Sequence, residues 1–441
     1  MVIQNHGIRY IDLFAGCGGL SEGFESAGGF RGVAHVEWED AACKTLAQRL
    51  ETRWGYADAS RRVLRADIQQ LDALVDGSAV HDFPSHAGLG RLVAESGGID
   101  LLIGGPPCQA YSMAGRVRDE HGMNRDYRNF LFESYLGVVE RYRPRAVLFE
   151  NVPGMLSAKP GGVSIPERIR ASFRRAGYVI RSDLRTCLVD AVDFGVPQRR
   201  KRLIIVGVRS DIVDAEVALE AFYGQLAADR RMGRRSVSDA IGHLPHLMPL
   251  RKPKRLGGRL CSHDYATSVA DDHVPRFHSL RDQAIFKMLA QDAQRASPKY
   301  ATAESLKALY TEVTGKVSAV HKYHVLRSNQ PSNLIPAHLY KDGLRHIHFD
   351  PTQARSITVR EAALLQGFPP DFMFVGAQGA KYKMIGNAVP PLLAEGLANA
   401  MRKVLFCGAA RTPARGGARR KLAEKAANDS YSCLMSRLPP E

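Results

Sequence analysis

Cysteine is scarce in this 441-residue chain, and its seven copies stand far apart, at 17, 43, 108, 187, 261, 407 and 433. That spacing argues against a disulfide framework or a zinc knuckle, so no metal site is expected and a reducing compartment fits. No apolar run reaches the length of a membrane span. Met1 to Tyr10 lack the charged-then-apolar layout of a secretory signal, so a cytoplasmic protein with no membrane partner is expected. Acidic residues are also short. The 45 Asp and Glu face 61 Lys and Arg and leave a net charge of +16. Such an excess suits a polyanionic partner, usually nucleic acid, although a basic solvated surface gives the same count.

What is present is an ordinary globular composition, 45% hydrophobic, long enough for two or three domains. The sharpest punctuation is the stretch Leu101-Leu102-Ile103-Gly104-Gly105-Pro106-Pro107-Cys108. Three apolar residues after Asp100 read as a short buried strand, and two glycines and two prolines end it. Cys108 therefore follows the carboxyl end of a strand, where open α/β sheets gather their ligands. A thiol on such a turn can serve as a nucleophile; the bland alternative is a small buried hydrophobe.

The chain begins with an apolar strand, Ile8 to Phe14, followed by Ala15-Gly16-Cys17-Gly18-Gly19 and the start of a helix at Ser21. Glycines between a strand and a helix amino terminus make a cofactor cradle, because the backbone can approach a ligand closely. The dinucleotide fingerprint is incomplete, since Ser21 stands where its third glycine belongs, and this weakens a nicotinamide or flavin reading. A second strand closes on Glu37-Trp38 and a third short segment leads to Asp67-Ile68. An acid closing a strand can hold a ribose, and an aromatic face can hold a base or a sulfonium cation, while each acid could equally be a helix cap. Residues 69–98 look like an irregular polar insertion, and 113–129 like a mobile loop over a site. Arg145 to Phe149 is another strand, delivering Glu150-Asn151-Val152-Pro153-Gly154 to the same rim as Cys108. Gln198-Arg199-Arg200-Lys201-Arg202 enters a strand at 203–208; alternation puts Arg200 and Arg202 on one face, either at a site or on a solvated edge. From about 210 to 350 the pattern dissolves into basic clusters, as in an inserted domain that touches phosphates. Regular patterning returns at Ser356 to Phe368 and runs through Gly386-Asn387-Ala388-Val389-Pro390 and a last apolar helix to about Val404.

In order, these motifs resemble those of the cytosine-5 DNA methyltransferases of bacterial restriction–modification systems. Asp12 to Gly19, Gly105 to Ser112, Glu150 to Val152, Gln198 to Arg202, Arg360 to Phe372 and Gly386 to Pro390 are similar to six of the family's motifs. The resemblance implies a Rossmann-like α/β fold that uses S-adenosylmethionine and flips a cytosine out of duplex DNA. It implies a catalytic domain over 1–209, a target-recognition domain over 210–355, a return to the catalytic domain over 356–405 and a disordered basic tail over 406–441. Cys108 would be the nucleophile, Glu150 would hold ring nitrogen 3, and Arg200 and Arg202 would contact the base or organise the site. Phe14, Gly16, Glu37, Trp38, Asp67, Ile68, Gly105 and Asn387 would line the cofactor pocket. The expected partners are duplex DNA and a separately acting restriction endonuclease, and the expected state is a monomer. A tRNA-methylating relative and a catalytically dead DNA-binding paralogue are the alternatives; the long basic insertion favours DNA, and the intact motif set favours activity.

If DNA is held through phosphates, counterion release governs affinity. Titration of labelled duplex by fluorescence anisotropy is expected to show binding weakening by about a hundredfold or more between about 50 and 200 mM salt. A flat dependence contradicts a basic groove.

Overall fold

The computed structural model describes residues 7–107, 131–159, 162, 164–231, 233–256, 259–264, 271–341 and 343–406. Its centre is one sheet. Strands β1 (Ile8–Leu13), β2 (Phe30–Glu37), β3 (Val63–Arg65), β4 (Leu101–Gly104) and β5 (Ala146–Asn151) pair in parallel, in the order β3-β2-β1-β4-β5. The short strands β6 (Tyr178–Val179) and β7 (Leu188–Asp190) both pair with β8 (Lys201–Arg209), which runs antiparallel to β5. All four residues of β4 are buried, as expected for a central parallel strand covered on both faces. This is the expected α/β architecture. The carboxyl ends of β1 to β5 share one rim, and because β8 is reversed, its amino end lies there too, with Asn151 opposite Leu203.

Helix α1 (Gly19–Ala27) packs on the last described helix, Pro391–Val404, and two glycines make the approach possible. A Cβ on Gly19 would sit 2.3 Å from the Val389 carbonyl oxygen, and one on Gly23 would sit 2.4 Å from Ala394 Cβ. Segments from the two ends of the sequence thus share one core with the sheet.

Two stretches depart from the sequence reading. Residues 69–98 are no irregular insertion: they hold the short helices Leu71–Asp76 and Leu89–Glu95, whose Leu74, Leu89 and Leu92 are buried in the main core between β3 and β4. Each helix is too short to display an apolar period. Helix Ala215–Ala228 lies beyond the boundary expected at 210, yet its Leu219, Phe222, Tyr223 and Leu226 belong to the core of the sheet.

Between about 237 and 361 polar side chains do much of the fastening. The ribbon of β9 (Pro249–Leu256) and β10 (Arg259–His263) carries exposed Arg251, Lys252, Lys254 and Arg255. Helix Val359–Gln366 starts with a capping box of Thr358 and Glu361, and Arg355 grips the Glu361 carboxylate with two bonds of 2.7 Å in a fully buried pair. His263 Nε2 lies 2.8 Å from the Gln353 carbonyl, and the backbone N–H of Ser356 donates to His278 Nε2. Residues 108–130, the expected loop at 113–129 among them, and residues 407–441 lie outside the described residues.

Burial lowers these two imidazoles and that of His348, buried beside Glu361, below their ordinary value, His263 and His348 to about 4 and His278 to about 3. The unfolded chain takes up protons first as pH falls below about 6.5, so folding is favoured above that value and weakened as pH drops toward 4. Melting followed by calorimetry should show Tm lower at pH 5 than at pH 7, with His278→Gln flattening the dependence. An unchanged Tm across that window contradicts it.

Candidate active site

The rim is shaped first by the turn after β1. Phe14 has φ +58°, Gly16 +56° and Gly18 +91°, so three left-handed residues fold the chain back before α1. The Gly16 N–H donates to Glu37 Oε2 at 2.8 Å, and the Glu39 N–H donates to Glu37 Oε1 at 2.7 Å. Burial raises the Glu37 pKa, opposed by these backbone donors. The turn and the end of β2 are thereby one unit. Trp38 is 52% exposed and stands edge-on to Phe83 at 4.7 Å between centroids, so a residue of the 69–98 stretch props the indole. The Ala66 N–H donates to the Glu37 carbonyl, which sets Asp67 beside Glu37; Asp67 Oδ1 accepts from the Gln69 N–H at 3.0 Å and Ile68 is buried.

On the other side of the rim, a Cβ on Gly105 would meet Glu150 Oε2 at 2.7 Å, so a larger residue there would displace this carboxylate. Arg202 Nε pairs with Glu150 Oε1 at 2.8 Å, and the two side chains are only 8% and 12% exposed. Asn151, quoted in the sequence motif but given no role, donates from Nδ2 to the Pro106 carbonyl at 3.2 Å and accepts the Val152 N–H through Oδ1. It ties the Pro106–Pro107 turn to β5. Cys108 itself lies outside the described residues. Cys17, Cys43, Cys187 and Cys261 are all buried, and burial drives the Cys17 thiol up strongly and the Cys43 thiol to about 12. These two pack as hydrophobes.

Arg200 fastens backbone. It is 2% exposed, and its Nη1 donates to the Ile335 carbonyl at 3.1 Å while Nη2 donates to the carbonyls of Gly386 at 2.9 Å and Ala388 at 3.1 Å. Although β8 begins at Lys201, the alternation already holds one residue earlier: Arg200 and Arg202 are buried while Arg199 and Lys201 are exposed. Asn387, exposed at the end of helix Gln378–Asn387, is carried to the glycine turn by the contact of Val389 with Gly19. Sequence reasoning also missed a buried clamp, Arg49 paired with Glu22 of α1 at 2.6 Å and with Asp371 at 3.0 Å, which fastens the cradle helix to the segment after Phe368. Nothing in the spacing of these three residues announces the contact.

The cradle fits a nucleoside cofactor. Nothing stands within 4 Å of where a Gly16 Cβ would be, and the adjacent acids Glu37 and Asp67 and the half-exposed Trp38 supply acceptors and a flat face. An open, mainly parallel sheet with this cradle and an acid–arginine pair on one rim defines an α/β methyltransferase. More narrowly, the chain belongs to the C-5 cytosine-specific DNA methylases, whose family model matches residues 8–403. It is 32% identical to the type II methyltransferase M.Bpa9945I of Bacillus paralicheniformis, covering 90% of this chain and 98% of that one. To the type II methyltransferase M1.HphI of Haemophilus parahaemolyticus it is 31% identical, over 90% and 87%. An E. coli prophage-encoded protein described as a DNA modification methyltransferase shares the fold, with a TM-score of 0.59, 24% identity and coverage of 91% and 100%. The protein is accordingly an S-adenosylmethionine-dependent DNA cytosine methyltransferase. Among the described residues, no helix is long and apolar enough to cross a membrane.

Removing Arg202 strands an almost buried carboxylate. Arg202→Ala should cost about 2–3 kcal/mol in urea unfolding at neutral pH, and adding Glu150→Gln should recover much of the loss because no unpaired charge remains. Additive losses would show that the pair is not coupled.

Proposed function

We propose that Cys108, Glu150 and Arg202 carry methyl transfer to carbon 5 of a cytosine everted from a specific duplex DNA sequence. The observation that supports this most is the Glu150–Arg202 pair at the end of β5, set against Gly105 and tied by Asn151 to the turn that precedes Cys108.

Carbon 5 of cytosine is a poor nucleophile while the ring is aromatic. The Cys108 thiolate adds to carbon 6, forming a carbon–sulfur bond and pushing the ring electrons toward carbon 5. Glu150 acts in its protonated form, delivering a proton to ring nitrogen 3 as that charge develops, and Arg202 holds the carboxyl group in place for the transfer. S-Adenosylmethionine, when bound, supplies an electrophilic methyl group on a sulfonium. Phe14, Gly16, Glu37, Trp38, Asp67, Ile68, Gly105 and Asn387 are the residues that would hold it, with Glu37 and Asp67 as acceptors and Trp38 as the flat face. Loss of the carbon 5 proton to water then returns electrons to the ring and expels the Cys108 sulfur as thiolate, while the nitrogen 3 proton goes back to Glu150, which regenerates the enzyme. Because the ring is stacked inside the helix, the base must first leave the stack, at a cost of a few kcal/mol. The basic region within 210–355, with its exposed ribbon of Arg251, Lys252, Lys254 and Arg255, recognises the target and offsets that cost through the backbone.

The relatives described as type II methyltransferases support a role in protecting host DNA, with a cognate endonuclease acting separately. The protein works as a cytoplasmic monomer in this reading.

Cys108→Ser is expected to lower transfer of labelled methyl to duplex DNA by at least about a thousandfold while cofactor binding stays within about twofold. The wild-type enzyme, and not the variant, should be trapped covalently on duplex containing 5-fluorocytosine. Near-wild-type turnover by Cys108→Ser removes Cys108 from the nucleophile role.

A further inference from the structure

The most densely hydrogen-bonded polar cluster near the rim lies behind it. Gln198 is fully buried, accepts the Ile335 N–H at 3.0 Å and donates from Nε2 to Gln366 Oε1 at 2.6 Å and to the Leu365 carbonyl at 3.3 Å. Gln366, also fully buried, donates from Nε2 to the Ala388 carbonyl at 2.6 Å. Arg200 reaches the same Ala388 carbonyl, that of Gly386 and that of Ile335. The backbone of Ser332 pairs with Pro197 and Arg199 in both directions, at 2.9 Å each. Three segments distant in sequence, 197–200, 332–335 and 365–388, are therefore joined through buried side chains.

We propose that Gln366 is a positioning residue for the cofactor pocket, acting with Gln198 and Arg200 by fixing the carbonyls on either side of Asn387. The inference rests on the reading that Asn387 lines that pocket. The geometry leaves the Gly386–Ala388 segment little freedom. Its two carbonyls point into the cluster, a Cβ on Gly386 would lie 2.4 Å from the Pro336 backbone, and Val389 presses on Gly19 at the start of α1. With both carbonyls held in the cluster, Asn387 between them is exposed, and the next residues reach Gly19 of the cradle. Of the two donors to the Ala388 carbonyl, Gln366 alone is in turn fixed by a second buried amide, so it sets the angle at which this carbonyl is held. A buried amide is a costly choice for this place unless every donor and acceptor is used, and here the amide oxygen of Gln366 and both groups of Gln198 are engaged.

Two variants separate positioning from general stability. Gln366→Leu removes both bonds. Gln366→Glu keeps an acceptor for Gln198 Nε2 and loses the N–H toward Ala388. Each should raise the cofactor KM about tenfold, as loss of one well-placed buried hydrogen bond implies, with kcat and the KM for duplex within about twofold. Tyr178→Phe is the control: it removes a buried bond of 2.7 Å to the Pro144 carbonyl at the far edge of the sheet and should lower Tm without moving the cofactor KM. An unchanged cofactor KM in the Gln366 variants, a loss confined to kcat, or an equal rise in Tyr178→Phe overturns the proposal. Absence of methyl transfer by the wild-type enzyme in the same assay would instead overturn the functional reading on which it stands.

Discussion

The reversal of one strand decides what this rim can do. A parallel sheet brings only carboxyl ends to its ligand-binding edge, and those ends here carry acids, glycines and prolines. Because β8 pairs antiparallel with β5, its amino end arrives at the same edge and brings a guanidinium with it. Arg202 meets Glu150 for that reason, and the pair is enclosed enough that its geometry is held rather than dissolved by water. Had β8 run with its neighbours, the carboxylate would face the Pro106 turn without a cation.

The other contacts around the edge serve mostly to hold backbone in place. Glu37 spends two of its acceptor positions on the amides of Gly16 and Glu39, fixing the cradle before any ligand arrives. Asn151 fixes a proline turn that has no N–H of its own to offer. Arg200 holds three carbonyls and Arg49 two carboxylates, each bridging segments that the sequence separates widely. Cations that would ordinarily be assigned to nucleic acid are here consumed by the protein, so the large positive balance overstates what is free to meet phosphate.

What could be read from the sequence was whatever backbone stereochemistry writes locally. Glycine and proline at the ends of Ile8–Leu13 and Leu101–Gly104 declared the strands and the turns, and the acid after each strand followed from the rule that ligands gather at carboxyl ends. Residues whose work depends on a distant partner were hidden. Phe83 supports Trp38 from a stretch that looked irregular, because helices of six and seven residues cannot show a period. Helix Ala215–Ala228 was assigned past a boundary since its apolar residues are spread around it instead of lying along one stripe. Alternation put Arg200 on the buried face with Arg202, but the carbonyls it holds, at 335, 386 and 388, are too distant in sequence to be read from it. Gln198 stood inside a recognised motif, yet its buried amide partner on helix Val359–Gln366 could be seen only in three dimensions.

The packing of α1 on helix Pro391–Val404 bears on how the enzyme comes into being. Gly19 and Gly23 admit that helix closely, so α1 gains its cover only once the helix docks, while Glu37 already ties the glycine turn to β2. On the ribosome, the amino-terminal strand and turn emerge long before their cover is synthesised, and such a late, long-range contact is slow to form. A nascent chain therefore carries α1 with its glycine face uncovered until the helix Pro391–Val404 has been made.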